Sequence, residues 1–72
     1  MPERAVIIAE IQEHFALRGW HPLLPVLVTE LKTLSRDELQ NALAQIQQAT
    51  DRFAALNKAM AAITNREPPK SD

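Results

Sequence analysis

Residues 35–65 read SRDELQNALAQIQQATDRFAALNKAMAAITN, and this stretch decides the fold that the sequence predicts. It contains neither Gly nor Pro, and it is rich in Ala, Leu and Gln, which favour the helical conformation. Ser35 and Glu38 have the spacing of a capping box, in which each side chain accepts a hydrogen bond from a backbone N–H at the start of a helix. The sequence therefore predicts one long helix over residues 36–65.

Apolar residues recur along this predicted helix in alternating steps of three and four. They are Leu39, Ala42, Ile46, Ala49, Phe53, Leu56, Met60 and Ile63. A period of 3.5 residues is typical of a helix that packs lengthwise against another helix, as in a coiled coil. The positions that flank this seam lack the opposed charges of a parallel leucine zipper, which favours an antiparallel bundle or a helical hairpin.

Glycine and proline divide the rest of the chain into two shorter helices. Gly19 ends the first helix, because Gly readily adopts the left-handed conformation that follows many helices. Pro25 belongs in the first turn of the second helix, where its missing N–H leaves no hydrogen bond unmade. The two helices are expected over residues 3–18 and 23–34.

The expected fold class is therefore all-α, because the chain also lacks the turn signals of β-hairpins. The three predicted helices form a small bundle or helical hairpin, with a single domain over residues 1–66. Residues 67–72 are polar and include two prolines, and we expect this tail to be disordered.

Composition excludes several classes of function. The chain has 72 residues, eight basic and nine acidic side chains, and no Cys. It is too short to build a large catalytic cleft, and it has no thiolate for a metal site or for nucleophilic attack. The formal net charge of −1 argues against capture of nucleic acid or of an anionic membrane. We therefore expect that the protein is not an enzyme and has no small-molecule substrate. We also expect it to bind no metal or cofactor and not to associate with a membrane.

The length of the chain points to protein binding instead. The two shorter helices cover only part of the predicted long helix, so its distal half is left with an exposed apolar face, which in soluble proteins often marks an interaction site. We expect contact with a protein partner through Phe53, Leu56, Met60 and Ile63. The partner is a second copy, giving a homodimeric adaptor, or a larger protein that this chain regulates or inhibits. The amino terminus does not resemble a signal peptide, which favours a cytoplasmic location.

Trp20 is the only Trp, and it lies in the short connection between the first two predicted helices. Two interpretations are open. Its ring closes one end of the core, as an indole in a small protein often does. Alternatively, Trp20 is a second anchor for the protein partner, since Trp is enriched in binding hot spots.

A DNA-binding regulator is the alternative function. Residues 24–48 read as a helix-turn-helix-like segment, whose second helix carries side chains that are able to contact base edges. These side chains are Arg36, Gln40, Asn41 and Gln45. Asp37 and Glu38 oppose this interpretation, because they place negative charge where phosphates approach. Nucleic acid is therefore the disfavoured partner.

Overall fold

The computed structural model describes residues 3–66, and within this range every regular element is a helix. The helices are α1 (Arg4–Leu17), α2 (Pro25–Leu31), α3 (Arg36–Gln48) and α4 (Arg52–Thr64). The all-α class is confirmed. The predicted number of three helices is wrong, because the described residues form four. The tail at 67–72 that was expected to be disordered lies outside the described residues.

Gly19 ends α1 in the way that the sequence predicts. Its φ angle is 72°, in the left-handed region that Gly adopts without steric cost. The N–H of Gly19 donates to the carbonyl of Ala16 at 3.1 Å, and the N–H of Trp20 donates to the carbonyl of Phe15 at 3.0 Å. This pair of hydrogen bonds is a Schellman motif, which directs the chain back over the last turn of α1 and brings Trp20 beside Phe15.

The start of α3 is the predicted capping box. The N–H of Glu38 donates to Ser35 Oγ at 3.2 Å, and the N–H of Ser35 donates to Glu38 Oε1 at 2.9 Å. Pro25 also lies where expected, in the first turn of α2, although this helix ends earlier than the sequence predicts.

The single helix predicted over 36–65 is wrong, because the chain breaks at residues 49–51. Ala49 follows α3 with extended backbone angles, and Asp51 caps a new helix by accepting a hydrogen bond from the N–H of Ala54 at 2.8 Å. A carboxylate at this position satisfies one of the free N–H groups that begin a helix. The break allows α4 to pack on α3, which is the most extensive helix contact in the described fold.

The predicted heptad seam does not continue through this break. In α3, Leu39, Ala42 and Ile46 are buried as predicted. In α4, the residues that face the core are Ala55 and Ala59, which are fully buried and lie outside the predicted repeat. Alanine permits close approach of two helices, so α4 supplies a flat contact face while the larger side chains of α1, α2 and α3 fill the core.

The carboxyl end of α4 is also joined to α2. Arg66 Nη1 lies 2.7 Å from Glu30 Oε2 and 2.8 Å from Thr33 Oγ1. Both charged side chains are partly exposed, so this ion pair contributes at most about 1 kcal/mol to stability.

Replacement of Asp51 tests the break. Asp51→Ala removes the cap of α4 and is expected to lower the free energy of unfolding by about 1 kcal/mol, whereas Asp51→Asn is expected to stay close to wild type because Asn caps equally well. Urea denaturation followed by circular dichroism measures both variants. Equal free energies of unfolding for the Ala and Asn variants would show that the Asp51 cap does not stabilise the start of α4.

Candidate protein-binding surface

A row of large apolar side chains runs along the outer side of α4. Phe53 is 74% exposed and Met60 is 52% exposed, while Leu56 and Ile63 are partly buried at the edge of the core. Steps of three, four and three residues place all of them on one side of a helix. We call Phe53, Leu56, Met60 and Ile63 the α4 stripe.

The alanine face positions this stripe. At 3.6 residues per turn, Leu56 and Ile63 lie next to the buried Ala59, and Phe53 and Met60 lie one step further towards solvent. The sequence places these four residues on a binding surface, and the structure does bring them together on one side of α4. It exposes mainly two of them, because the break turns α4 so that Leu56 and Ile63 also contact the core.

On α4 itself, the residues that border Phe53 and Met60 on the solvent side are uncharged. Asn57 and Thr64 are exposed, and they follow Phe53 and Met60 by one helical turn. Lys58 lies about 140° around the helix from Phe53, on a different side of α4. The exposed part of the stripe, Phe53 and Met60, is therefore apolar and is bordered along α4 by uncharged polar groups, while the Arg66–Glu30 ion pair lies near its Ile63 end.

Exposure of a single apolar side chain does not define a site. Leu17 is 78% exposed, slightly more than Phe53. Val6, Leu24 and Val26 are also exposed. Single exposed apolar residues are common on protein surfaces, whereas several aligned on one side of a helix are typical of an interaction site. Phe53 and Met60 are distinguished by their alignment with Leu56 and Ile63.

Trp20 lies against the core at the end of α1. It is partly buried, and its ring meets the ring of Phe15 edge to face, with 5.3 Å between centroids and 76° between planes. The guanidinium carbon of Arg18 lies 5.6 Å from the Trp20 ring centroid, which is a cation–π distance. These ring contacts are with α1 and not with the stripe, and they favour the interpretation that Trp20 closes the core.

His14 completes the cluster around Trp20. Its ring centroid lies 5.7 Å from that of Trp20, and Arg18 Nε donates a hydrogen bond to His14 Nε2 at 3.0 Å. This bond requires Nε2 to be unprotonated. Desolvation and, secondly, the positive charge of Arg18 lower the pKa of His14 below its ordinary value of 6.5.

The residues of the DNA-binding alternative lie on α3. Arg36, Gln40 and Asn41 are exposed, while Gln45 is partly buried and lines a groove between α3 and α4. Asp37 is exposed in the first turn of the same helix. The structure therefore presents three of the four predicted side chains to solvent, together with an acidic group at the end that would approach phosphate.

A wider groove separates the start of α1 from the turn between α2 and α3. Its floor includes Ile8 and Val28, and its rim includes charged groups of both signs, namely Glu3, Arg4, Lys32, Arg36 and Asp37. The mixed charge does not select an anion or a cation.

No group of three or more His, Asp or Glu side chains within residues 3–66 is arranged to hold a metal ion. None of the four helices described is long and apolar enough to cross a membrane. Comparisons with protein-family models, curated proteins and solved structures give no match to this chain.

The His14 contact predicts a pH dependence of stability. Because the pKa of His14 is lower in the folded chain than in the unfolded chain, the unfolded chain binds more protons between the two pKa values. Acidification through this interval, below about pH 6.5, is therefore expected to reduce stability. Arg18→Gln removes the nearby positive charge and is expected to raise the pKa of His14.

NMR titration of the His14 ring in the wild type and in Arg18→Gln measures this shift directly. The urea-unfolded chain supplies the reference pKa of the same residue. A folded-state pKa of His14 at or above that reference, or a lower pKa in Arg18→Gln, would contradict the contact.

Proposed function

We propose that this protein is a small cytoplasmic protein-interaction module that binds through the α4 stripe and does not catalyse a reaction. The observation that carries the proposal is the alignment of two exposed large apolar side chains, Phe53 and Met60, with two partly buried ones on the same side of α4. It acts as an adaptor or as a regulator or inhibitor of a larger protein.

The core supports this assignment because it is complete without the exposed half of the stripe. Phe15, Leu31, Leu39 and Ile46 are each fully buried in a core to which all four helices contribute, α4 through Ala55 and Ala59. Phe53 therefore has no role in filling the core. Full burial of a large apolar side chain stabilises a complex by roughly 1.5–3 kcal/mol, and this gain is available to a partner that covers Phe53.

The chemistry of the stripe also defines the kind of surface that binds it. With Asn57 and Thr64 as its exposed border, the stripe favours an apolar counter-surface with an uncharged polar rim. Binding is then driven by burial of apolar area, and its affinity depends only weakly on salt because few exposed charges are paired.

DNA binding is a second candidate, favoured by the exposure of Arg36, Gln40 and Asn41 on α3. Asp37, which is exposed in the first turn of the same helix, opposes DNA binding because its negative charge repels phosphate. The two functions differ in salt dependence, since each phosphate contact releases counterions and DNA binding therefore weakens steeply with salt. A duplex-binding assay at low salt that gives no shift at micromolar protein rejects this candidate.

Site-specific photo-crosslinking in cells tests the protein-binding proposal. A photoreactive phenylalanine analogue at position 53 is expected to give a discrete adduct of defined mass. The same analogue at position 17 is a matched control, because Leu17 has nearly the same exposure as Phe53 and lies outside the stripe. We expect at least a fivefold lower yield of that adduct from position 17.

The Met60→Asp variant provides the second comparison. It is expected to abolish the adduct from position 53 while retaining the helical circular dichroism spectrum, because Met60 is not part of the buried core. No adduct from position 53, or equal adducts from positions 53 and 17, would overturn the proposed function.

A further inference from the structure

We infer that the cluster of His14, Arg18 and Trp20 is a pH-dependent switch, in which protonation of His14 separates it from Arg18 and releases the Trp20 side chain from the end of the core. The contacts that carry this inference belong to α1 and to the connection that follows it. They do not depend on the proposed function. We call these three residues the Trp20 cluster, and its two arrangements closed and open.

The closed arrangement is the one that the structure shows. The Trp20 ring meets the rings of Phe15 and His14 edge to face, with 5.3 and 5.7 Å between centroids, and the Arg18 guanidinium carbon lies 5.6 Å from the Trp20 centroid. Arg18 is oriented by His14, whose Nε2 accepts a hydrogen bond from Arg18 Nε at 3.0 Å. Residues 20–24 belong to no helix, so side-chain contacts position this connection. Two of the three neighbours of Trp20 are therefore joined by a bond that exists only while Nε2 is unprotonated.

Protonation of His14 breaks this bond. Both ring nitrogens then carry a hydrogen, so Nε2 no longer accepts from Arg18, and two positive charges face each other across 3.0 Å. Separation of His14 from Arg18 leaves Phe15 as the remaining ring neighbour of Trp20, whose side chain is only partly buried. Leu23 is buried in the core and keeps the connection attached. The movement is therefore confined to the Trp20 cluster.

The charged groups around His14 determine the open arrangement. Glu10 precedes His14 by one helical turn, as Arg18 follows it by one turn, so the protonated ring exchanges Arg18 for the Glu10 carboxylate. The helix that packs on α1 is α3, and its charged residues all lie in its first turn, near Arg4 at the opposite end of α1. The other titratable groups of the carboxyl half of α1, of the connection and of the start of α4 are Glu13, His21, Asp51 and Arg52.

Acid favours the open arrangement. In the closed arrangement, desolvation and the charge of Arg18 hold the pKa of His14 below its ordinary value of 6.5. In the open arrangement the ring is hydrated and lies beside Glu10, and both changes favour its charged form. The proton therefore binds more tightly to the open arrangement, and a difference of one unit between the two pKa values raises the ratio of open to closed molecules about tenfold at acidic pH. The cluster is closed above about pH 6.5 and opens as the pH falls below it.

Fluorescence measures the opening, because Trp20 is the only Trp. From about pH 8 to about pH 5, we expect the emission maximum to move to longer wavelength and the rate constant of acrylamide quenching to rise at least twofold, since the indole enters water. The midpoint should coincide with the titration of the His14 ring by NMR. Far-ultraviolet circular dichroism should stay constant over the same range, because the four helices remain folded.

Three variants assign the transition. His14→Gln carries no charge at any pH, and its amide oxygen is able to accept from Arg18, so it should abolish the transition and keep Trp20 in the closed arrangement. His21→Gln is the matched control, because it removes the other His, which is exposed, and it should retain the transition. Glu10→Gln removes the acceptor of the open arrangement and should move the midpoint to lower pH.

Four results would overturn the inference. One is a transition that persists in His14→Gln, and another is its loss in His21→Gln. A third is protonation of His14 with no change in Trp20 emission, or with a shift to shorter wavelength and weaker quenching, because the charged ring then stays on Trp20. The fourth is loss of helical circular dichroism with the same midpoint, because the whole chain then unfolds in place of a local opening.

Discussion

The hydrogen bond from the backbone N–H of Ala54 to the Asp51 carboxylate is the contact on which the remaining structure depends. This bond caps the first turn of α4, which begins after α3 has ended and runs in a new direction. With this break, residues 52–64 fold back onto α3, and a core is completed within one chain. The bond is a local, exposed contact of modest strength that sets where α4 begins, and the alanine face of α4 then determines which side of the helix is buried.

The buried side of α4 is formed by small residues, and this has a direct consequence for function. Ala55 and Ala59 permit close packing, and of the larger apolar side chains of α4 only Leu56 and Ile63 reach the core. Phe53 and Met60 are consequently turned to solvent. The same local event thus produces both the stable monomer and its candidate binding surface.

Much of this fold can be predicted from the sequence because the signals are local. The Ser35 and Glu38 pair, the left-handed Gly19 and the helix-forming composition each act over a few residues, and each has its predicted effect. The break at 49–51 was missed because Asp51 is followed three residues later by Ala54, so the capping box is incomplete, and because the apolar repeat continues through it. Tertiary packing adds to the Asp51 cap there, since the break allows α4 to pack against α3.

The residues of the α4 stripe were identified for a reason that is partly wrong. The sequence predicts that the distal half of a long helix is uncovered, whereas the structure exposes one side of a separate short helix. NMR of a dilute, isotopically labelled sample tests this geometry most directly. We expect helical Cα shifts over 36–48 and 52–64, an extended shift at Ala49, and no nuclear Overhauser contacts from the Phe53 ring to α1 or α3. Continuous helical shifts through 49–51, with Phe53 ring contacts to the core, would contradict it.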